Sequence, residues 1–183
     1  LLGFRSASLD QAQNALGRLA MGLAQVINDQ HVLGQDLNGA LGGKFFAVAS
    51  PAVLPSSKNA GTGAVTAVLQ SVAALTTSDY RLQYNGAAGG NENFVLTRTS
   101  DGVTTAITFP AATAYPYSLN VDGFTLTLSA GSALNDSWLI EPTRFGAANI
   151  GLALKDPAAI AAASPIRTGA ALANSGNASI SAG

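Results

Sequence analysis

At 183 residues, with 48% hydrophobic and 10% charged side chains, the chain is long enough to bury a core as one medium domain or two small ones, and too apolar for disorder throughout. Nine basic against ten acidic residues leave a formal charge of −1 without clustered Lys and Arg, which argues against nucleic acid as a partner. The absence of cysteine excludes disulfides, thiolate catalysis and zinc ribbons, and no apolar run approaches the ~20 residues of a membrane span, so we expect a soluble chain without membrane insertion.

The first element is a long helix, expected over residues 8–31. Ser8 and Gln11 are spaced as a capping box, and Gly34 marks the stop. Leu9, Ala12, Leu16, Leu19, Leu23, Val26 and Gln30 recur at alternating steps of three and four, the heptad seam of a helix that packs lengthwise on another. Leaving such leucines in water costs roughly 1.5–3 kcal/mol each, so the seam demands a cover. The other helical candidate, residues 156–164 with Asp156 as N-cap and Pro157 in the first turn, is too short and too alanine-rich to supply it. The chain is therefore expected to be a piece of a larger protein, in keeping with its start at Leu1 without a methionine or basic leader.

From about Pro51 the helical period gives way to short alternating runs. Tyr80, Leu82 and Tyr84, then Phe94 and Leu96, then Ile107 and Phe109 each define one apolar strand face. Asp101-Gly102 and Asp122-Gly123 sit between such runs and predict two hairpins, and the run from Ser137 to Glu141 stops at Pro142, which has no N–H for a ladder. The fold class is thus α+β: a long and a short helix of a helical domain flanking an inserted antiparallel β domain. The expected divisions are 1–46 for the helix and its turn, 47–143 for the β domain, and 144–183 for a return segment ending in a polar tail from about Gly169, with Ile180 as a possible anchor.

Chemistry is sparse along this chain. His31, the sole histidine, lies in the last helical turn, where a solvated or capping role suits the dipole better than general-base work. Asp36-Leu37-Asn38-Gly39 begins like a calcium loop but lacks the later glycine and glutamate, so it reads as a turn. Gly42-Gly43-Lys44 lacks both the preceding glycine and the following Ser or Thr of a phosphate loop, and Gly61-Thr62-Gly63 and Gly86 to Gly90 read as flexible connections. Asp79, Asp101, Asp122 and Asp136 sit beside turns, where carboxylates bond local N–H groups. Trp138 reads as core, although with Tyr115 and Tyr117 it also offers an aromatic platform for glycan. No catalytic residue, cofactor site or metal site is expected.

Leu9-Asp10-Gln11, Asn14-Ala15-Leu16-Gly17, Leu19-Ala20, Ile27-Asn28, Gln30-His31, the Asp36 to Gly39 turn and Phe45-Phe46 resemble, in order and spacing, the flagellar hook-associated protein 1 family. Pro51 to Leu54, Asn59, Ser78-Asp79-Tyr80, Asp122 to Leu128 and Asn135 to Pro142 extend the resemblance through the β region. It implies a non-enzymatic, extracellular structural subunit of the bacterial flagellum. Such a subunit is exported by the type III pathway with a chaperone for the full-length protein, and forms a ring of identical copies between hook and filament. Its implied neighbours are the hook protein and the second junction protein, and its terminal helices form a coiled region. Leu9, Ala12, Leu16, Leu19, Leu23 and Val26 are then the helix-packing face. Another axial protein such as flagellin, or an adhesive or glycan-binding β module, stands as the alternative.

Overall fold

The structure, a computed structural model, describes residues 8–110, 113–165 and 176–177; the polar tail expected from Gly169 lies outside them apart from the last pair. Two compact units divide the chain, Leu1–Leu23 with Val48–Ile150 and Ala24–Ala47 with Gly151–Gly183. One long helix, α1 (Asp10–His31), contributes residues to both. A π-type turn at residues 8–9 precedes it, so regular helix starts two residues after the expected Ser8. Asp10 in its first turn opposes the positive end of the helix dipole.

In the larger unit the alternating runs form two antiparallel sheets. Strands β2 (Ala52–Pro55), β9 (Ser137–Glu141), β4 (Tyr80–Ala88), β5 (Asn91–Arg98) and β6 (Thr104–Pro110) lie side by side in that order. The second sheet has three strands in the order β3 (Val65–Leu69), β8 (Phe124–Leu128) and β7 (Tyr117–Val121). Their inner faces share one core, with Leu82, Phe94, Trp138 and Ile140 from the first sheet meeting Phe124, Leu126 and Leu128 from the second. Trp138 is 2% exposed, which assigns it to the core and not to a surface platform. Period-two alternation drives this arrangement, since each strand offers its even or odd positions to the other sheet.

The turns follow their residue chemistry, with two departures from expectation. Asp122 (φ 26°) and Gly123 (φ 91°) form the two-residue turn between β7 and β8, both left-handed as such a hairpin requires. Asp101-Gly102, by contrast, sits in a five-residue loop, residues 99–103, closed by the Arg98 N–H on Val103 O and the Gly102 N–H on Arg98 O. A third hairpin joins β4 to β5 through Gly89 and Gly90, with a bulge between Tyr84 and Gly86. That glycine-rich stretch is a tight turn, not a flexible connection. The hydrophobic alternation fades at Asn85 because the bulge shifts the register there.

The smaller unit holds the end of α1, the strand pair β1 (Phe46–Ala47) and β10 (Gly151–Leu152), and the return segment. The short helix expected over residues 156–164 is only a 3₁₀ turn, Pro157–Ala159. Asp156 caps it as expected, accepting the Ala158 N–H at 2.9 Å, but Ile160 turns extended (φ −69°, ψ 110°). Ala161 and Ala163 then bond outward to α1 and its following turn, and Ala162 N–H to Ile160 O, which removes all three from a helical ladder. Within the Asp36 to Gly39 turn, Asp36 Oδ1 accepts the N–H groups of Asn38 and Ala40 at 2.8 Å each, a closed local turn whose ligating oxygen is already occupied.

Helix α1 docks in the larger unit by backbone contact. A Cβ on Gly17 would lie 1.7 Å from the carbonyl oxygen of Thr143, and one on Gly146 would lie 2.5 Å from Gly17 O. No rotamer escapes a clash with backbone. We therefore predict that Gly17→Ala destabilises the chain by about 1–3 kcal/mol despite alanine's better helix propensity, while Gly22→Ala, with open space around it, stabilises or leaves it unchanged. Chemical denaturation of the two variants checks the sign of each.

Candidate assembly face and the contacts behind it

Helix α1 carries two heptad seams. Asn14, Gly17, Met21, Ala24, Asn28 and His31 are buried, and they too recur at alternating steps of three and four. This set lies five positions on from the apolar one, about 140° around the helix. The apolar set stays on the surface: Leu9, Leu16, Leu19, Leu23 and Val26 are 47–70% exposed, and Ala12 is exposed with them. The helix thus docks by its small and polar face and leaves its leucines in water. That is the reverse of an ordinary amphipathic helix.

Polar contacts hold the docked face in the larger unit. Arg144 pairs with Asp10 (3.2 Å), Glu141 (3.0 Å) and Asp79 in a short contact, and all four side chains are largely buried. Asn14 donates from Nδ2 to Asp79 Oδ1 (3.1 Å) and accepts from the Thr143 hydroxyl (3.2 Å). Burial raises the Asp79 carboxyl above the usual range, opposed by the Arg144 charge and the bonds from Asn14 and Arg144. Asp79 therefore does not serve its own turn as expected. It reaches across the unit, and the local N–H groups of Ser78 and Ser100 are accepted instead by the Thr76 and Ser78 hydroxyls.

In the smaller unit Asn28 and His31 continue the same face. Asn28 Oδ1 accepts the N–H groups of Phe45 and Phe46 at 2.8 Å each, and its Nδ2 donates to Phe46 O at 2.9 Å. His31 is 7% exposed and bonded through both ring nitrogens, so it is neither solvated nor a cap. Gly34 does more than end the helix: a Cβ there would lie 2.1 Å from Ala161 O, so glycine is needed for the return segment to approach.

The remaining candidates are accounted for by packing and turns. Asp136 collects the N–H groups of Ala60, Gly61 and Ala133, and these bonds hold its carboxyl below the usual range. Asp101 binds Arg98 and the Val103 N–H, and Asp122 accepts from the Tyr80 hydroxyl at 2.5 Å. Tyr117 is buried and stacked on Phe109, with Tyr115 against it, so these rings close one end of the core. Among the described residues no group of three or more His, Cys, Asp or Glu is placed to hold a metal ion, and no helix is long and apolar enough to cross a membrane. The polar seam carries a sequence signal, since Asn14, Gly17, Asn28 and His31 keep heptad spacing, but its residue types give it no apolar periodicity.

Family comparison fits this layout. Residues 1–46 match the flagellar hook-associated protein FlgK helical domain, and residues 54–142 match the D2-like domain of flagellar hook-associated protein 1. The chain belongs to the flagellar hook-associated protein 1 family. It is 35% identical over 164 residues to flagellar hook-associated protein 1 of Escherichia coli K12, and 34% over 165 residues to that of Salmonella typhimurium LT2. Each alignment covers 90% of this chain and 28% of the relative, so the chain spans little more than a quarter of those proteins. The fold is similar to the flagellar hook junction protein FlgK of Burkholderia pseudomallei, with a TM-score of 0.76 at 36% identity over 89% of this chain and 28% of that one.

In this family member, Arg144 compensates three carboxylates at once. Arg144→Met should cost about 3–5 kcal/mol, because it strands buried negative charge, and Asp79→Asn should cost less. The pH dependence separates them. Because the native Asp79 carboxyl titrates above its unfolded value, its contribution is fully present below the ordinary value of 3.8 and declines as pH rises through the native one. Denaturation of Asp79→Asn across the acid range should therefore lack that part of the decline.

Proposed function

We propose that this chain is part of a non-enzymatic structural subunit of the hook–filament junction of the bacterial flagellum. The observation that supports it is the open leucine seam on a helix whose opposite face is fully engaged, in a chain of this family that spans about a quarter of its relatives. Leu9, Ala12, Leu16, Leu19, Leu23 and Val26 then receive helices from the rest of the full-length protein as a coiled coil. In this reading residues 1–46 and 144–183 belong to a helical domain, and residues 47–143 are the β domain inserted in it.

The subunit is secreted through the type III pathway with an export chaperone. It assembles with identical copies, and with the hook protein and the second junction protein as neighbours, outside the cell. Immunogold labelling of intact flagella with antibodies to this chain should decorate the boundary between hook and filament alone, and a deletion strain should make hooks without filaments. Label along the whole filament would instead make the protein a filament subunit. Within the full-length protein, Leu19→Asp with Leu23→Asp should abolish incorporation, since two unpaired charges would be buried at the seam. Normal motility of that double variant would remove the seam from assembly.

A further inference from the structure

His31 sits where a cation would favour the dipole of α1, yet its bonds fix it as neutral. Nδ1 lies 2.8 Å from the carbonyl oxygen of Gly43, which only accepts, so Nδ1 carries the proton. Nε2 lies 2.9 Å from the backbone N of Ala161, which only donates, so Nε2 must offer a lone pair. Both bonds exist together only in the neutral Nδ1–H imidazole. A second proton would set N–H against N–H across a buried contact, costing the bond and leaving the Ala161 donor unsatisfied.

Ala161 is the point at which the return segment is seated. Gly34 and Gly42 approach it so closely that added Cβ atoms would meet Ala161 at 2.1 and 2.6 Å. Beside it Gln35 and Ala163 exchange backbone bonds of 2.7 and 3.2 Å. The ring's other wall is the edge of Phe45, at a centroid distance of 5.3 Å. No counter-charge waits for an imidazolium among the described residues: Asp29 on α1 is exposed and bonded to Gln25, Asp36 closes its own turn, and Asp156 caps Ala158. The charged groups nearest in sequence to its two bonding partners, Lys44 beside Gly43 and Lys155 before the 3₁₀ turn, are exposed cations and supply no counter-charge.

We propose that His31 is an acid-released latch, which holds residues 160–163 against the end of α1 while its imidazole is neutral and lets them go when it is protonated. Release removes one wall of an apolar groove of about 580 Å³ lined by Val26, Leu33, Phe45, Ile160 and Pro165, and bares that surface. The device lies wholly in the smaller unit and is independent of the proposed place in the flagellum.

The test is an acid titration of the protein followed by NMR. Long-range ¹H–¹⁵N correlation of the imidazole should report the Nδ1–H tautomer at neutral pH. As the ring charges, exchange protection at the Ala161, Ala163 and Gln35 amides should fall about tenfold or more beyond the intrinsic pH effect, while the amides of β9 keep theirs. His31→Asn should abolish the pH step at those amides. An Nε2–H tautomer, protection at Ala161 that outlasts protonation of the ring, or a step that survives in His31→Asn would each overturn the latch; the first two need only the unaltered protein.

Discussion

The close approach of one glycine-containing helical turn to a backbone carbonyl sets the terms for the rest of this molecule. With Gly17 seated on Thr143, α1 sits too near its support for leucine side chains to fit between them. Elsewhere on that face Met21 packs into the sheet core, Asn14 bonds the Asp79 and Thr143 side chains, and Asn28 and His31 bond backbone. The leucines lie on the other side. Leaving that much apolar surface in water is costly, and the proposed cover from the rest of the full-length protein would remove the cost.

A helix held by polar groups would be weakly held if those groups were loosely paired. Here the pairs are dense. Arg144 faces three carboxylates, Asn14 links Asp79 to Thr143, and Asn28 satisfies three backbone groups with one amide. Such a network contributes little net stability over a well-packed apolar core, but it punishes any partial loss, because each freed partner stays buried. The two-sheet core supplies the cohesion, and the network supplies the uniqueness of placement.

The long helix, the β-strand faces, the Asp122-Gly123 hairpin and the burial of Trp138 were legible in the sequence, because each is written in periodicity or turn chemistry within a few residues. What escaped was nonlocal. Asp79 was read as a turn residue, since its partners Asn14 and Arg144 lie 65 positions away on either side. His31 was read as a helix-end cation, since nothing near it in sequence announces the Ala161 N–H 130 positions on. The short helix failed for a related reason: Asp156 and Pro157 give a sound start, but Ala158 O, the Ala161 N–H and both backbone groups of Ala163 are engaged by α1 and its following turn. The polar seam was visible as a spacing and went unread because Asn, Gly and His are not counted as packing residues.

The two seams also differ in how well they define register. An apolar heptad seam repeats itself every seven residues, so a partner helix slipped by ~10 Å still meets leucines, and hydrophobic contact alone discriminates weakly between the two positions. The polar seam does not repeat. Asn14 fits the Asp79 carboxylate and the Thr143 hydroxyl, Gly17, Asn28 and His31 each fit a backbone feature, and a slip of any length breaks all of them together. Because the polar face is engaged within the chain itself, the position of the leucines along the helix surface is set by contacts inside the chain. Contacts that define register and the exposed apolar area therefore lie on different faces of one helix, and under the proposed function the apolar face would be free to be as apolar as its cover allows.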